Sequence, residues 1–146
     1  MSPDPHHVAR RIADECIGQR TRQLGRLVSR IYDDALRPHG VTNAQVGMLT
    51  AIEMVGPVRP TILGRIVGAE KSTVSRNVRG LVDRGWVQVR DDAEERGKLL
   101  ELTPEGRGLL VLIFPAWEQA QGKAVALVGP RASETLSGYL REVQTP

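Results

Sequence analysis

Between Lys71 and Arg84 the chain places Ser72, Thr73, Ser75, Arg76 and Arg79. Hydroxyls and guanidiniums gathered this closely suit the binding of nucleic acid. Arginine offers a two-pronged donor fork that matches guanine, and a hydroxyl can hold a phosphate oxygen. The groups needed for covalent or acid–base work are missing. The chain has no Walker loop, no HExxH, no GxSxG and no Cys/His pair at metal spacing, so an enzyme is not expected and no cofactor is implied.

Charge follows the same stretch. Twenty Lys+Arg against seventeen Asp+Glu leave a formal charge of only +3 over 146 residues. From Lys71 to Arg90, however, five bases face one acid, a net of +4, and the rest of the chain sums to −1. Other classes fall away. The longest apolar run, Leu109 to Phe114, is far short of the roughly 20 residues of a membrane span. The first residues hold Asp4, Asp14 and Glu15 and no apolar core of a secretory signal. The single cysteine, Cys16, cannot form an internal bridge, which fits a reducing cytoplasm. The length predicts one domain, with 40% apolar residues to build its core.

The elements that must position the polar stretch can be read from periodicity. Residues 1–5 should be frayed, and one long helix is expected from Val8 to about Leu36, with Leu24, Leu27, Val28 and Ile31 on one stripe. A second helix opens at Thr42, where Gln45 completes a capping box, and Gly56-Pro57 ends it. Pro60 starts a short third helix that stops at Gly68. Lys71–Arg84 forms a fourth, with Val74, Val78, Leu81 and Val82 turned inward and the hydroxyls and arginines turned out. Trp86–Arg90 and Leu99–Leu102 then read as two strands of a hairpin. Thr103-Pro104-Glu105 begins another helix, which Pro115 should kink, and a last helix covers about 131–143. The fold class expected is mainly α with a small β-hairpin. Two short helices followed by a hairpin make a winged helix-turn-helix lobe, whose second helix enters the DNA major groove.

These residues resemble the MarR family of bacterial transcriptional regulators. The likeness runs through His39-Gly40-Val41-Thr42, Gln45 and Leu49, then Leu63, Ile66 and Gly68. It continues in Lys71-Ser72-Thr73-Val74-Ser75-Arg76-Asn77-Val78 and Gly85-Trp86-Val87, and closes in Arg96 and Leu102-Thr103-Pro104-Glu105-Gly106. The resemblance implies a homodimeric regulator, expected to be a ligand-responsive repressor bound to a pseudo-palindromic double-stranded DNA operator. Its recognition helix would be about 71–84 and its wing about 86–102. Residues 42–103 would form the winged-helix lobe, with 6–36 and 104–146 as the helical dimerisation region. Leu24, Leu27, Ile31, Leu112, Ile113, Trp117, Leu136 and Leu140 are the expected dimer contacts.

The wing departs from the family pattern. Relatives carry Asp-x-Arg at the tip, whereas Glu94-Glu95-Arg96 stands here, making Arg96 the expected minor-groove contact and Glu94 its expected brace. Asp91, Asp92 and Glu95 make the tip acidic, which favours the alternative of a winged-helix protein-interaction module without DNA binding. A second alternative is a redox-sensing regulator using Cys16, with Arg20 one turn on to favour a thiolate, against a plain reading as a buried or interface thiol. His6, His7 and His39 lack metal-ligand spacing. Phe114 and Trp117 read as core residues ahead of pocket residues, so any effector site would be mostly aliphatic with arginine at its mouth. That suits a small amphipathic or aromatic anion.

Overall fold

The computed structural model describes residues 3–144 and forms a helical body carrying one antiparallel hairpin. Met1 and Ser2 of the expected frayed arm, and Thr145 and Pro146 at the other end, lie outside the described residues. Order begins earlier than expected. Helix α1 spans Pro5–Glu15, with the Asp4 carboxylate accepting from the His6 amide at 3.2 Å as a cap and Pro5 at the first turn.

The single long helix expected from Val8 to Leu36 is two helices. Cys16 is extended (ψ 102°) and separates α1 from α2, Ile17–Leu36. Two features allow the break. No residue of α1 is buried, so packing does not hold it collinear with α2, and Gly18 just past the break is a poor helix former. Helix α3, Asn43–Val55, starts as expected: Thr42 Oγ1 accepts from the Gln45 amide at 3.2 Å and Gln45 Oε1 accepts from the Thr42 amide at 3.1 Å. Asp33 ties α2 to this start by accepting from the Asn43 amide at 2.7 Å.

Helix α4 (Pro60–Val67) and helix α5 (Lys71–Asp83) follow, then strands β1 (Val87–Asp91) and β2 (Lys98–Leu102). The strands pair Val87 with Leu102 through Asp91 with Lys98. β1 is shifted by one residue from the expected Trp86–Arg90, and β2 starts one residue before the expected Leu99 and ends at Leu102 as expected, differences within normal boundary scatter. Val58 adds a fragment of a third strand: it exchanges two backbone bonds with Leu100, at 3.0 and 2.8 Å. Helix α6 (Pro104–Val128) runs unbroken through Pro115, and α7 spans Pro130–Gln144.

The core lies under the lobe. Leu36, Met48, Leu49, Ile52, Leu63, Leu81, Val87, Leu100 and Leu102 are nearly or wholly excluded from water. Ile113, expected at a dimer contact, belongs to this core at 2% exposure, because the first half of α6 packs its inner face on the lobe. Its burial needs no partner. Farther along α6, the Tyr32 hydroxyl donates to Gln121 Oε1 and joins α2 to α6.

Candidate nucleic-acid interface

The short turn Gly68-Ala69-Glu70 aims α5 across α4. Gly68 ends α4 in the left-handed region (φ 65°), where a Cβ would be strained, and its amide bonds back to Gly64. Val74 and Leu81 anchor α5 in the core, with Val78 and Val82 half-buried beside them. That leaves Ser72, Ser75, Arg76 and Arg79 at i, i+3, i+4 and i+7, all exposed and on one face. Thr73 departs from this set. It is half-buried, and its carbonyl accepts from the Asn77 side chain at 2.9 Å.

Neither Arg76 nor Arg79 has a carboxylate or carbonyl partner among the described residues. An exposed guanidinium with no internal partner keeps all five donors for a ligand. The neighbouring Arg84 is used internally. It donates to the Gly40 carbonyl at 2.9 Å and lies over the Trp86 ring at 4.9 Å, so it pins the end of α5 to the start of the hairpin.

The hairpin tip is arranged differently from expectation. No ion pair joins Glu94 to Arg96 among the described residues. The organising acid is Asp92. Its amide donates to the Gly97 carbonyl at 3.1 Å, and its Oδ1 accepts from the amides of Glu94 and Glu95 at 3.1 and 3.4 Å. These backbone bonds fold the tip around Asp92, and the side chain of Glu94 takes no part. The other Asp92 oxygen accepts from Arg59 at 2.6 Å, and the same Arg59 nitrogen lies 2.5 Å from Glu95. The Arg59 guanidinium, followed by the two amide donors, holds the Asp92 carboxyl below the usual carboxylate range; the carboxylates raise Arg59 in turn.

This pairing changes the electrostatics of the tip. Asp91 pairs with Lys98 at 2.5 Å, and Asp92 and Glu95 share Arg59. Among the described residues, Glu94 is the one acid of the tip left unpaired, beside an exposed, unpartnered Arg96, so the acidic count in the sequence overstates the negative charge there. Arg59 was the residue that sequence reasoning missed. The alternation of Val58 inward and Arg59 outward, immediately before a helix-starting proline, was the available signal.

Between α4, α5 and the hairpin runs a cleft of about 800 Å³. Its lining includes the aliphatic Val78, Val82, Val89 and Leu100, and its charged residues are Arg65, Lys71, Arg79 and Lys98 with the acids Glu70 and Asp83. Phe114 and Trp117 are elsewhere, stacked on each other at 5.9 Å between ring centres. Cys16 is half-buried at the α1–α2 break, and no hydrogen bond reaches its thiol among the described residues. The contact with Arg20 that a thiolate would use is therefore not formed. No group of three His, Cys, Asp or Glu side chains that could hold a metal occurs among the described residues. No helix there is long and apolar enough to cross a membrane.

The other expected dimer residues sit on the outer faces of the long helices. Leu27, Leu112, Leu136 and Leu140 are exposed, Leu112 by 63%, and Leu24, Ile31 and Trp117 are half-buried. Phe114, Leu127, Tyr139 and Val143 extend the same apolar exposure along α6 and α7.

Comparison with known proteins agrees with this geometry. A profile of the MarR family matches residues 39–97, from the approach to α3 to the hairpin tip. The HTH-type transcriptional regulator YwoH of Bacillus subtilis (strain 168) is 31% identical over 83 residues, 57% of this chain and 61% of that protein. The multiple antibiotic resistance protein MarR of Escherichia coli (strain K12) is 28% identical over 94 residues, 59% of this chain and 65% of its own length. The chain thus spans less than two thirds of either curated relative. Among solved structures, the M. tuberculosis transcriptional regulator MosR is 31% identical with a TM-score of 0.76, over 90% of this chain and 97% of that one. The same regulator in a complex with DNA gives 32% and 0.75, over 89% and 97%. A MarR mutant from E. coli complexed with operator DNA shares the fold, at a TM-score of 0.78 and 19% identity over 91% and 96%. The profile match from the approach to α3 to the hairpin tip places these residues in the MarR family, and the likeness to MosR carries the shared fold over nearly the whole of that regulator's length.

Proposed function

We propose that the chain is a homodimeric, sequence-specific DNA-binding transcriptional regulator, a repressor whose operator is pseudo-palindromic. The observation that carries this reading is the face of α5. The side chains of Ser72, Ser75, Arg76 and Arg79 stand together, exposed and without partners among the described residues. Arginine there reads guanine edges in the major groove, while the hydroxyls and Lys71 hold phosphates. Arg96 on the wing takes the adjacent minor groove. Half-sites lie about one turn, roughly 34 Å, apart, set by the spacing of two α5 helices.

The dimer is supported by apolar exposure on α1, α2, α6 and α7, including Ile12, Ile17, Leu112, Phe114 and Leu140. Such a surface is large for a lone chain and suits a second copy. Release by an effector is the remaining part of the reading. The cleft beside α5, lined by valines and by four bases against the two acids Glu70 and Asp83, suits a small amphipathic anion. A ligand there favours dimers whose recognition helices no longer fit the operator.

The competing reading, a protein-interaction module, rested on an acidic wing, and internal pairing of Asp91, Asp92 and Glu95 weakens that argument. Mobility shift on duplexes that flank the protein's own gene, titrated with salt, separates the two. A DNA binder retards the duplex and loses affinity steeply as salt rises, because phosphate contacts release counterions. No retardation at low salt contradicts the proposal.

A further inference from the structure

Of the bonds and ion pairs that hold the hairpin tip, from Asp91 to Lys98, Arg59 supplies the only side chain from outside the hairpin among the described residues. Its place in the chain is unusual for a residue that only stabilises. Arg59 stands at the N-cap of α4, where Ser, Thr, Asp or Asn would satisfy a free amide, and its side chain makes no capping bond. A cation at that end also opposes the helix dipole. The local helix therefore gains nothing from the guanidinium. Its partners are at the wing: Asp92 at 2.6 Å, with a side chain only 12% exposed, and Glu95 at 2.5 Å. Asp92 in turn holds the amides of Glu94 and Glu95, so the backbone that leads into Arg96 is fixed through one carboxylate. The residue before Arg59, Val58, is bonded on both sides to Leu100 of β2. The base of the wing is thus tied by backbone and its tip by Arg59, from consecutive residues of one segment.

We propose that Arg59 is the positioning residue of the wing, holding the tip through Asp92 and Glu95 so that Arg96 is presented at a fixed distance from the recognition helix. The inference rests on the DNA-binding reading for its consequence, but not for its geometry. It replaces a brace within the tip by a brace from the lobe, and it assigns the acids of the tip a structural task.

The test combines two measurements on the full chain. The probe is a duplex selected by the wild-type protein from a random pool. Arg59→Ala should lower affinity for it about tenfold, and Arg96→Ala should do the same. The double variant should bind no more weakly than Arg96→Ala alone, since a residue that acts through Arg96 has nothing left to position. Arg59→Lys should restore most of the loss, because one nitrogen makes both contacts. Separately, without DNA, hydrogen exchange at the Glu94 and Glu95 amides should quicken in Arg59→Ala while the amides of α3 keep their wild-type rates. Unchanged exchange at the tip overturns the inference. So does an equal further loss of affinity when Arg59→Ala is added to Arg96→Ala, which would make Arg59 a DNA contact in its own right. If the wild-type protein selects no duplex, the DNA-binding reading fails, and the exchange measurement still decides whether Arg59 holds the tip.

Discussion

Gly106 lies directly against the carbonyl of Trp86: a Cβ placed at Gly106 would stand 2.1 Å from that oxygen. The same carbonyl accepts from the Thr103 amide at 3.1 Å. Thr103 Oγ1 donates to Gly85 at 2.6 Å and accepts from the Gly106 amide at 3.0 Å. The first turn of α6 is thereby bolted to the first residue of the wing. Gly106→Ala should destabilise the protein by about 1–3 kcal/mol through overpacking. Gly108, with nothing within 4 Å of its added Cβ, is the control: Gly108→Ala should be neutral or stabilising by up to about 1 kcal/mol. Thermal or denaturant unfolding of the two variants checks both values, and equal effects would refute the close approach.

The Tyr32–Gln121 bond links the helix before the lobe to the helix after it. Burial raises the Tyr32 pKa, so the hydroxyl keeps its proton throughout the ordinary working range. Tyr32→Phe should cost about 1 kcal/mol, the usual net worth of a hydrogen bond whose partner can turn to water. Gln121→Ala added to it should cost little more, which a double-mutant cycle of unfolding measures.

Asp92 sets a pH dependence with a defined sign. Its folded pKa is depressed, first by Arg59 and then by the amide of Glu94. Such a group contributes stability that is complete above the unfolded carboxylate value of about 4 and is lost as pH falls through the lower folded value. The tip should therefore stay ordered at neutral pH and loosen only in acid. A carbonyl-carbon NMR titration should give Asp92 a lower midpoint than an ordinary aspartate, and Arg59→Ala should move it up. An unchanged midpoint in that variant would contradict the pairing.

On α5, arginines and lysine should separate by what they read. Arg76→Ala or Arg79→Ala is expected to cost about 1–3 kcal/mol in DNA binding and to relax preference at one base position. Lys71→Ala should weaken all sequences alike and reduce the salt slope by about 1. Affinities on a panel of single-base-pair variants at two salt concentrations distinguish these outcomes.

The lobe was legible in the sequence wherever local chemistry specifies structure. The Thr42–Gln45 box, Pro60 at a helix start, the stop at Gly68 and the Thr103 cap each fix a boundary through bonds between near neighbours. What escaped depends on tertiary contacts. The break at Cys16 reflects packing that α1 lacks, which periodicity cannot report. Ile113 lies within an all-apolar run, where the pattern does not say which side meets the chain's own core. The tip is the sharpest case. Glu94 and Arg96 are close in sequence, but the bond that matters joins Asp92 to Arg59, 33 positions away.

That two copies read one duplex through α5 and the wing is checked by footprinting a saturated complex whose stoichiometry is measured in the same sample. Two chains per duplex and two protected major-groove segments centred about one turn apart are expected. Flanking minor-groove protection should vanish in Arg96→Ala while the major-groove protection remains. One chain per duplex, or a footprint unchanged by loss of both Arg76 and Arg79, would contradict it.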